Sequence, residues 1–257
     1  GTSLVSMHQK SEGLIQVEDL ELAYGENLVL KQVSFQLIKG TCLVVMGGSG
    51  CGKSTLLKAM VGLLAPVDGK VFIAGKDLWD SNHTERATIL RKFGVLFQGG
   101  ALWSSMTVFE NVALPLETYT DLKEGEVREI VRYKLSLVGL GGFESFYPSE
   151  LSGGMRKRAG LARAMALDPE ILFFDEPSAG LDPITSKRLD DLINELKESL
   201  GISFVVVTHE LASIFEIADH SIFLDAEERT LLESGDPKSL VYNSNNPKVV
   251  DFLTRNA

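Results

Sequence analysis

The sequence has no apolar run of eighteen residues, so nothing in it reads as a membrane-crossing helix. It has no excess of basic charge: 25 Lys and Arg stand against 35 Asp and Glu, a net charge of −10. That balance argues against nonspecific binding to nucleic acid or to an anionic lipid surface. If such a chain works at a membrane, a protein partner must hold it there. Cysteine is scarce: Cys42 lies in an apolar run and Cys51 in a glycine-rich stretch. No disulfide is expected, and a reducing cytoplasm is implied. The opening "GTSLVSMHQK" lacks the apolar stretch of a secretion signal. Residues 1–13 read as a flexible start, with 1–6 a remnant of cloning and Met7 the natural first residue. Internal repeats and low-complexity tracts are also missing.

What is present is a series of short apolar runs, at 14–17, 42–46, 70–75, 93–98, 171–175, 204–209 and 221–225. Several are continuous rather than alternating, as expected of strands buried on both faces. Helical patterns intervene. One covers 53–64. Another, 186–200, sets Leu189, Leu192, Ile193 and Leu196 on one face and stops at Gly201. Strands alternating with helices predict an α/β fold with a mostly parallel sheet. The stretch 99–166 has little strand pattern, and 126–139 repeats Val127, Ile130, Val131, Leu135 and Val138 at helical spacing. The expected organisation is a core of 14–98 and 167–235, a helical subdomain of 99–166 and a tail of 236–257. In the tail, Asn246 and Pro247 look like the N-cap and first position of a short last helix.

The run "GGSGCGKS" follows an apolar strand and precedes a helix. In that context Gly47, Gly48, Ser49, Gly50, Cys51 and Gly52 can wrap backbone N–H groups around phosphate oxygens. Lys53 would reach the β and γ phosphates, and the Ser54 hydroxyl would sit on Mg²⁺. In "ILFFDEP", Asp175 emerges at the carboxyl end of a buried strand and would act on the metal, while Glu176 would orient and polarise the attacking water. No Asn-Lys-x-Asp stretch reads guanine, and Tyr24 offers a stacking face for a base, although it also reads as a surface tyrosine. These residues favour ATP. A second Ser-Gly-Gly helix start, "LSGGMRKRAGLARA", raises the question of whose phosphate it holds; the basic triplet 156–158 beside it reads as a solvated helix face.

"GGSGCGKST", "FQ" at 97–98, "LSGGM", "FFDEPSAGLD" and "VVVTHE" occur in the order seen in ATP-binding cassette (ABC) ATPases, which the chain resembles from about Leu14 to Gly235. The resemblance implies an ABC-type P-loop NTPase with an N-terminal antiparallel β part, hydrolysing ATP with Mg²⁺. It implies that Tyr24 stacks on adenine, that Thr55 completes the phosphate loop, and that Gln98 touches the metal or the water. His209 would contact the γ-phosphate. Asp182 would lie where two subunits meet, though before Pro183 it also reads as a helix cap. Two copies would assemble head to tail, so that Ser152, Gly153 and Gly154 of one face the ATP held by Lys53 of the other.

The implied setting is a transporter subunit, peripheral on the cytoplasmic face of the inner membrane. In it, the apolar segment 99–116 (Leu102, Trp103, Met106, Val108, Phe109) would receive a permease, with substrate-binding and regulatory proteins as further partners. The absence of heptads between Lys53 and Ser152 excludes the coiled-coil chromosome and repair ATPases. "LSGGM", "FQGGALWSSMTVFENVALPL" and "LDPITS" are similar to the Mla/Mce lipid-transport group. The sequence departs from some of its members by ending soon after "NPKVVDFLTRNA", without a longer tail to clasp a neighbour. A subunit of another ABC transporter, or an ATPase of iron–sulfur cluster assembly, is the alternative.

Overall fold

The continuous apolar runs become strands with both faces covered. The computed structural model describes residues 13–98 and 102–255. The flexible start over 1–12, the subdomain boundary after Gln98 and the first three residues of the 99–116 segment lie outside the described residues. In β3 (Cys42–Gly47), Cys42, Val44 and Met46 point into one core, and Leu43 and Val45 into a second. The same split runs through β7 (Ile171–Asp175), where Leu172 and Phe174 oppose Ile171 and Phe173. It recurs in β8 (Ser203–Val207), where Phe204 and Val206 oppose Val205 and Val207. With β6 (Phe93–Leu96), β9 (His220–Asp225) and β10 (Thr230–Gly235), these form a six-stranded sheet of order β10-β9-β3-β8-β7-β6. All of its pairs are parallel except β9 with β10.

The second core lies between this sheet and a smaller antiparallel one of order β2-β1-β4-β5. Its strands are β1 (Ile15–Tyr24), β2 (Asn27–Leu37), β4 (Asp68–Ile73) and β5 (Lys76–Asp77). Its alternation is broken by bulges. Asp19 (φ 46°) and Gln32 (φ 51°) take left-handed conformations, and the buried side chains jump from Val17 to Leu20 and from Leu30 to Val33. An extra residue in a strand shifts the period-two pattern by one, so β1 runs well beyond 14–17 and β2 shows no clean alternation at all. Helix α1 (Lys53–Met60) packs Leu56 and Leu57 into this core, and α2 (His83–Leu90) adds Ile89.

The first core is closed by α3 (Val108–Tyr119), α4 (Glu124–Leu137), α5 (Gly153–Ala164), α6 (Pro183–Leu200) and α7 (Leu211–Ile217). Helix α3 opens with a capping box in which Thr107 and Glu110 serve each other's backbone N–H groups. Helix α6 starts ahead of its apolar stripe because Asp182 caps it and Pro183 occupies the first position. The tail holds α8 (Pro237–Asn243) and α9 (Pro247–Thr254), the latter capped by Asn246. Among the described residues no helix is long and apolar enough to cross a membrane. Phe173 is fully buried, with its ring edge-on to Phe93 at 5.1 Å. Phe173→Ala is expected to lower stability by about 3–5 kcal/mol; urea unfolding checks it, and a loss below about 1 kcal/mol would mean that the two cores close over the gap.

Candidate active site

β3, β8 and β7 are neighbours, so their carboxyl ends stand side by side about 4.8 Å apart. Each delivers one part of the site. Beyond β3 the chain turns through the glycine loop into α1. Gly47 (φ 151°) admits no side chain, since a Cβ there would lie 2.4 Å from the Leu224 carbonyl oxygen. Gly52 (φ 99°) caps α1 from the left-handed region, and its Cβ would meet Leu30 at 2.9 Å. Lys53 Nζ folds back and donates to the Gly47 carbonyl at 2.6 Å. Ser54 is exposed on the first turn, and Thr55 is buried beneath it. Cys51 is buried and unpaired, and burial pushes its thiol up, so it contributes packing and no nucleophile. Tyr24, half-exposed, lies over the same helix, 5.9 Å from Lys58 Nζ. Its hydroxyl is held below the usual phenol range, mainly by hydrogen bonding to Thr55, while burial opposes.

Beyond β7, Glu176 adopts φ 47°, an unusual conformation for a residue with a Cβ, and its N–H donates to the Val207 carbonyl at 2.8 Å. That bond ties the acid to β8, which ends at the histidine loop. Glu176 Oε1 and His209 Nδ1 are 2.8 Å apart. Asp175 Oδ1 and Glu176 Oε2 are buried with no hydrogen-bond partner. Burial first, then the adjacent Glu176, raises the Asp175 carboxyl above its ordinary value, against the pull of Lys53, Lys157 and Lys58. Two acids with orphaned oxygens beside a phosphate loop form a site that suits a cation. Among the described residues no three His, Cys, Asp or Glu side chains could hold a metal alone. A metal here would have to take its remaining ligands from phosphate, hydroxyl and water, as Mg²⁺ does.

The second helix start is that of α5. Ser152 caps α5, its oxygen accepting from the Met155 N–H at 3.2 Å. A Cβ on Gly154 would strike Thr185 of α6 at 2.5 Å. Gly154 is thus needed for α5 to sit against α6, which adds a packing reason to the close ligand approach expected from sequence. Asp182 accepts from both the N–H and the hydroxyl of Thr185, at 2.9 and 2.7 Å. Those bonds hold its carboxyl low. The capping half of its expected role is present.

Within the basic triplet Arg156 is exposed as expected, but Lys157 corrects the reading of a solvated face. Lys157 is buried, and its Nζ donates to the Gln98 carbonyl at 2.7 Å, while Arg156 donates to the Leu151 carbonyl at 2.9 Å. Gln98, exposed just beyond the end of β6, is therefore tied to α5 through its backbone. Val108 is another correction, since it is fully buried in the first core and cannot line a docking surface. Sequence reasoning missed three further features. Asp190, Ser213 and Ser178 form a buried hydrogen-bonded chain. Asn111 clamps the loop that carries Trp103. Arg255, at the end of α9, donates to the His209 carbonyl. The first has a faint signal, a carboxylate embedded in the apolar stripe of α6; the second lies one residue beyond the Thr107–Glu110 capping pattern.

A glycine loop running from a strand end into a helix start, with two acids whose buried oxygens lie at a nearby strand end, defines a P-loop nucleoside triphosphatase. The sequence pattern of the ABC transporter family matches residues 30–179. The intermembrane phospholipid transport ATP-binding protein MlaF of Haemophilus influenzae is 39% identical over 243 residues, 95% of this chain and 91% of that one. A probable ribonucleotide transport ATP-binding protein, mkl of Mycobacterium leprae, is 40% identical over 239 residues, 93% of this chain and 68% of that one. The dimeric post-hydrolysis structure of the ATP-binding cassette MJ0796 with ADP and Pi superposes with a TM-score of 0.77 at 30% identity, covering 86% of this chain and 98% of that one. The chain belongs to the ABC transporter family and is an ATPase of that family.

Proposed function

We propose that this ATPase drives phospholipid transport between envelope membranes, as a head-to-tail dimer seated under a permease at the cytoplasmic face of the inner membrane. The observation that carries the lipid reading is the likeness to MlaF, which extends over 95% of this chain and 91% of that protein. The dimer is supported by the MJ0796 cassette, which is dimeric. In the dimer, α5 of one copy aims its N-terminus, with roughly half a positive charge, at the nucleotide on the other. The Ser152 oxygen is engaged by its own helix, and its hydroxyl proton is left to donate to phosphate across the interface. Gly153 and Gly154 keep that approach clear, and Asp182 stands at the crossing.

Within one copy, Lys53 exchanges the Gly47 carbonyl for phosphate oxygens, and Tyr24 covers the base. Glu176 Oε2 accepts from the attacking water, while His209 steadies Oε1 and reaches the γ-phosphate. Ser54, Asp175 and Gln98 fit a Mg²⁺ ion, which when bound neutralises charge on the β and γ phosphates. The permease contact centres on Trp103, 59% exposed. The buried Asn111 amide holds that loop rigid, accepting from Trp103 N–H at 2.7 Å and donating to the carbonyls of Trp103, Met106 and Thr107. An exposed aromatic on a rigid loop is the usual form of an interface anchor.

Affinity capture from native membranes tests the proposal. A permease and bound phospholipid are expected, with recovery of the permease falling about tenfold for Trp103→Ala. Recovery with an iron–sulfur assembly complex, a solute importer or ribonucleotide cargo would overturn it.

A further inference from the structure

Three segments that carry the chemistry are stapled together by a buried polar chain. Ser178 lies two residues after Glu176, in the turn closed by the Ala179 N–H to Glu176 carbonyl bond. Ser213 lies in the first turn of α7, four residues after His209. Asp190 projects from α6, the helix that Asp182 caps. All three are nearly inaccessible: Ser178 at 4%, Ser213 at 1% and Asp190 at 3% exposure. Ser213 Oγ donates to Asp190 Oδ2 at 2.9 Å, and Ser178 Oγ lies 3.3 Å from Ser213 Oγ. Since Ser213 spends its proton on the carboxylate, Ser178 must be the donor in the second bond. Asp190 Oδ1 is buried and unpartnered. A core that needed only to pack would not place a half-satisfied carboxylate in an apolar stripe.

We propose that Asp190 is a positioning residue for hydrolysis: by accepting from Ser213, and through it holding Ser178, it sets the relative placement of the Glu176 turn and the His209 loop. This rests on the reading of Glu176 and His209 given above. The hydrogen bond is strong only while Asp190 is charged. The groups around that charge are Lys187 and Asp191 from α6 itself, Glu216 from α7 and Cys42 from β3. Burial is the main reason that the carboxyl is pushed up to about 6, with Glu216 and Asp191 adding and Ser213 opposing. Its native pKa lies above the unfolded one, so ionisation costs stability. Between about pH 4 and 6 the native state keeps a proton that the unfolded chain has lost, and stability falls as pH rises through that window. Turnover should move the other way, since the ionised form holds the loops.

Steady-state ATPase of the full chain tests this. Asp190→Ala is expected to lower kcat about tenfold, with KM for ATP within about twofold and a melting temperature at pH 8 no lower than the parent's. Asp190→Asn keeps a weaker, uncharged acceptor oxygen, so its kcat at pH 8 should fall between those of Asp190→Ala and the parent, and one ionisation should be lost from the acid limb of the kcat profile. Ser178→Ala, a small change that leaves the Asp190–Ser213 bond intact, should lower kcat severalfold and keeps the test open if Asp190→Ala does not fold. Parental kcat in Asp190→Ala or in Ser178→Ala would overturn the proposal. So would a kcat loss that tracks melting temperature and is not even partly restored by Asn. Glu176→Gln, run in parallel, separates the two readings. Normal turnover there removes the assumed base, whereas loss there beside parental Asp190 and Ser178 variants removes only the positioning role.

Discussion

Glu176→Gln is expected to bind ATP as the parent chain does and to hydrolyse it at least about 100-fold more slowly, the usual range for loss of a general base. The side chain is set for that role. Its backbone is fixed at a positive φ by the bond to Val207, one oxygen is held by His209, and the other is buried and unpaired. Glutamine keeps the shape and one acceptor oxygen and loses the base. It also removes the negative charge that is the second cause of the raised Asp175 carboxyl, so nothing in the change works against nucleotide binding. With ATP persisting, the head-to-tail dimer should accumulate. Steady-state phosphate release together with size-exclusion chromatography, with and without ATP, reads both effects. Near-normal turnover would remove Glu176 as the base. Slow turnover with a monomer at every nucleotide concentration would remove the dimer.

Lys53→Ala should weaken ATP binding about 10- to 100-fold, the range for a charge-assisted bond to phosphate. The figure is smaller than the bare attraction would suggest, because Lys53 already satisfies itself on the Gly47 carbonyl at 2.6 Å and must leave it. The loop itself should survive, since its shape depends on Gly47 and Gly52 packing against Leu224 and Leu30 rather than on the lysine. Titration calorimetry with a non-hydrolysable ATP analogue measures the change, and unchanged affinity would take Lys53 out of the site.

The parallel sheet was legible because β3, β7 and β8 are covered on both faces, which demands unbroken apolar runs. The small antiparallel sheet was only partly so. Asp19 and Gln32 insert bulges, and a bulge erases the alternation by which half-buried strands are recognised. At the site, Lys53, Asp175 and Glu176 stand out as candidates in the sequence because each lies at a strand end or a helix start, where local pattern and chemistry coincide, whereas His209 is singled out only by the family resemblance. Lys157 does not stand out. Its burial depends on α5 lying against the end of β6, a contact between elements distant in sequence, and three basic residues in a row look solvated from composition alone. The pairing of His209 with Glu176, the clamp by Asn111 and the Asp190 chain share that character. They exist only once helices and sheet are assembled.

The end of α9 reaches the His209 loop. Arg255 stacks its guanidinium 3.9 Å above the Phe252 ring, Phe252 meets Phe223 of β9 at 5.3 Å, and the same guanidinium donates to the His209 carbonyl. Arg255 therefore ties the end of α9 to the His209 loop. A label placed on α9 is thus expected to be felt at the His209 loop, and kinetic series on this ATPase are best compared with the same label on every variant.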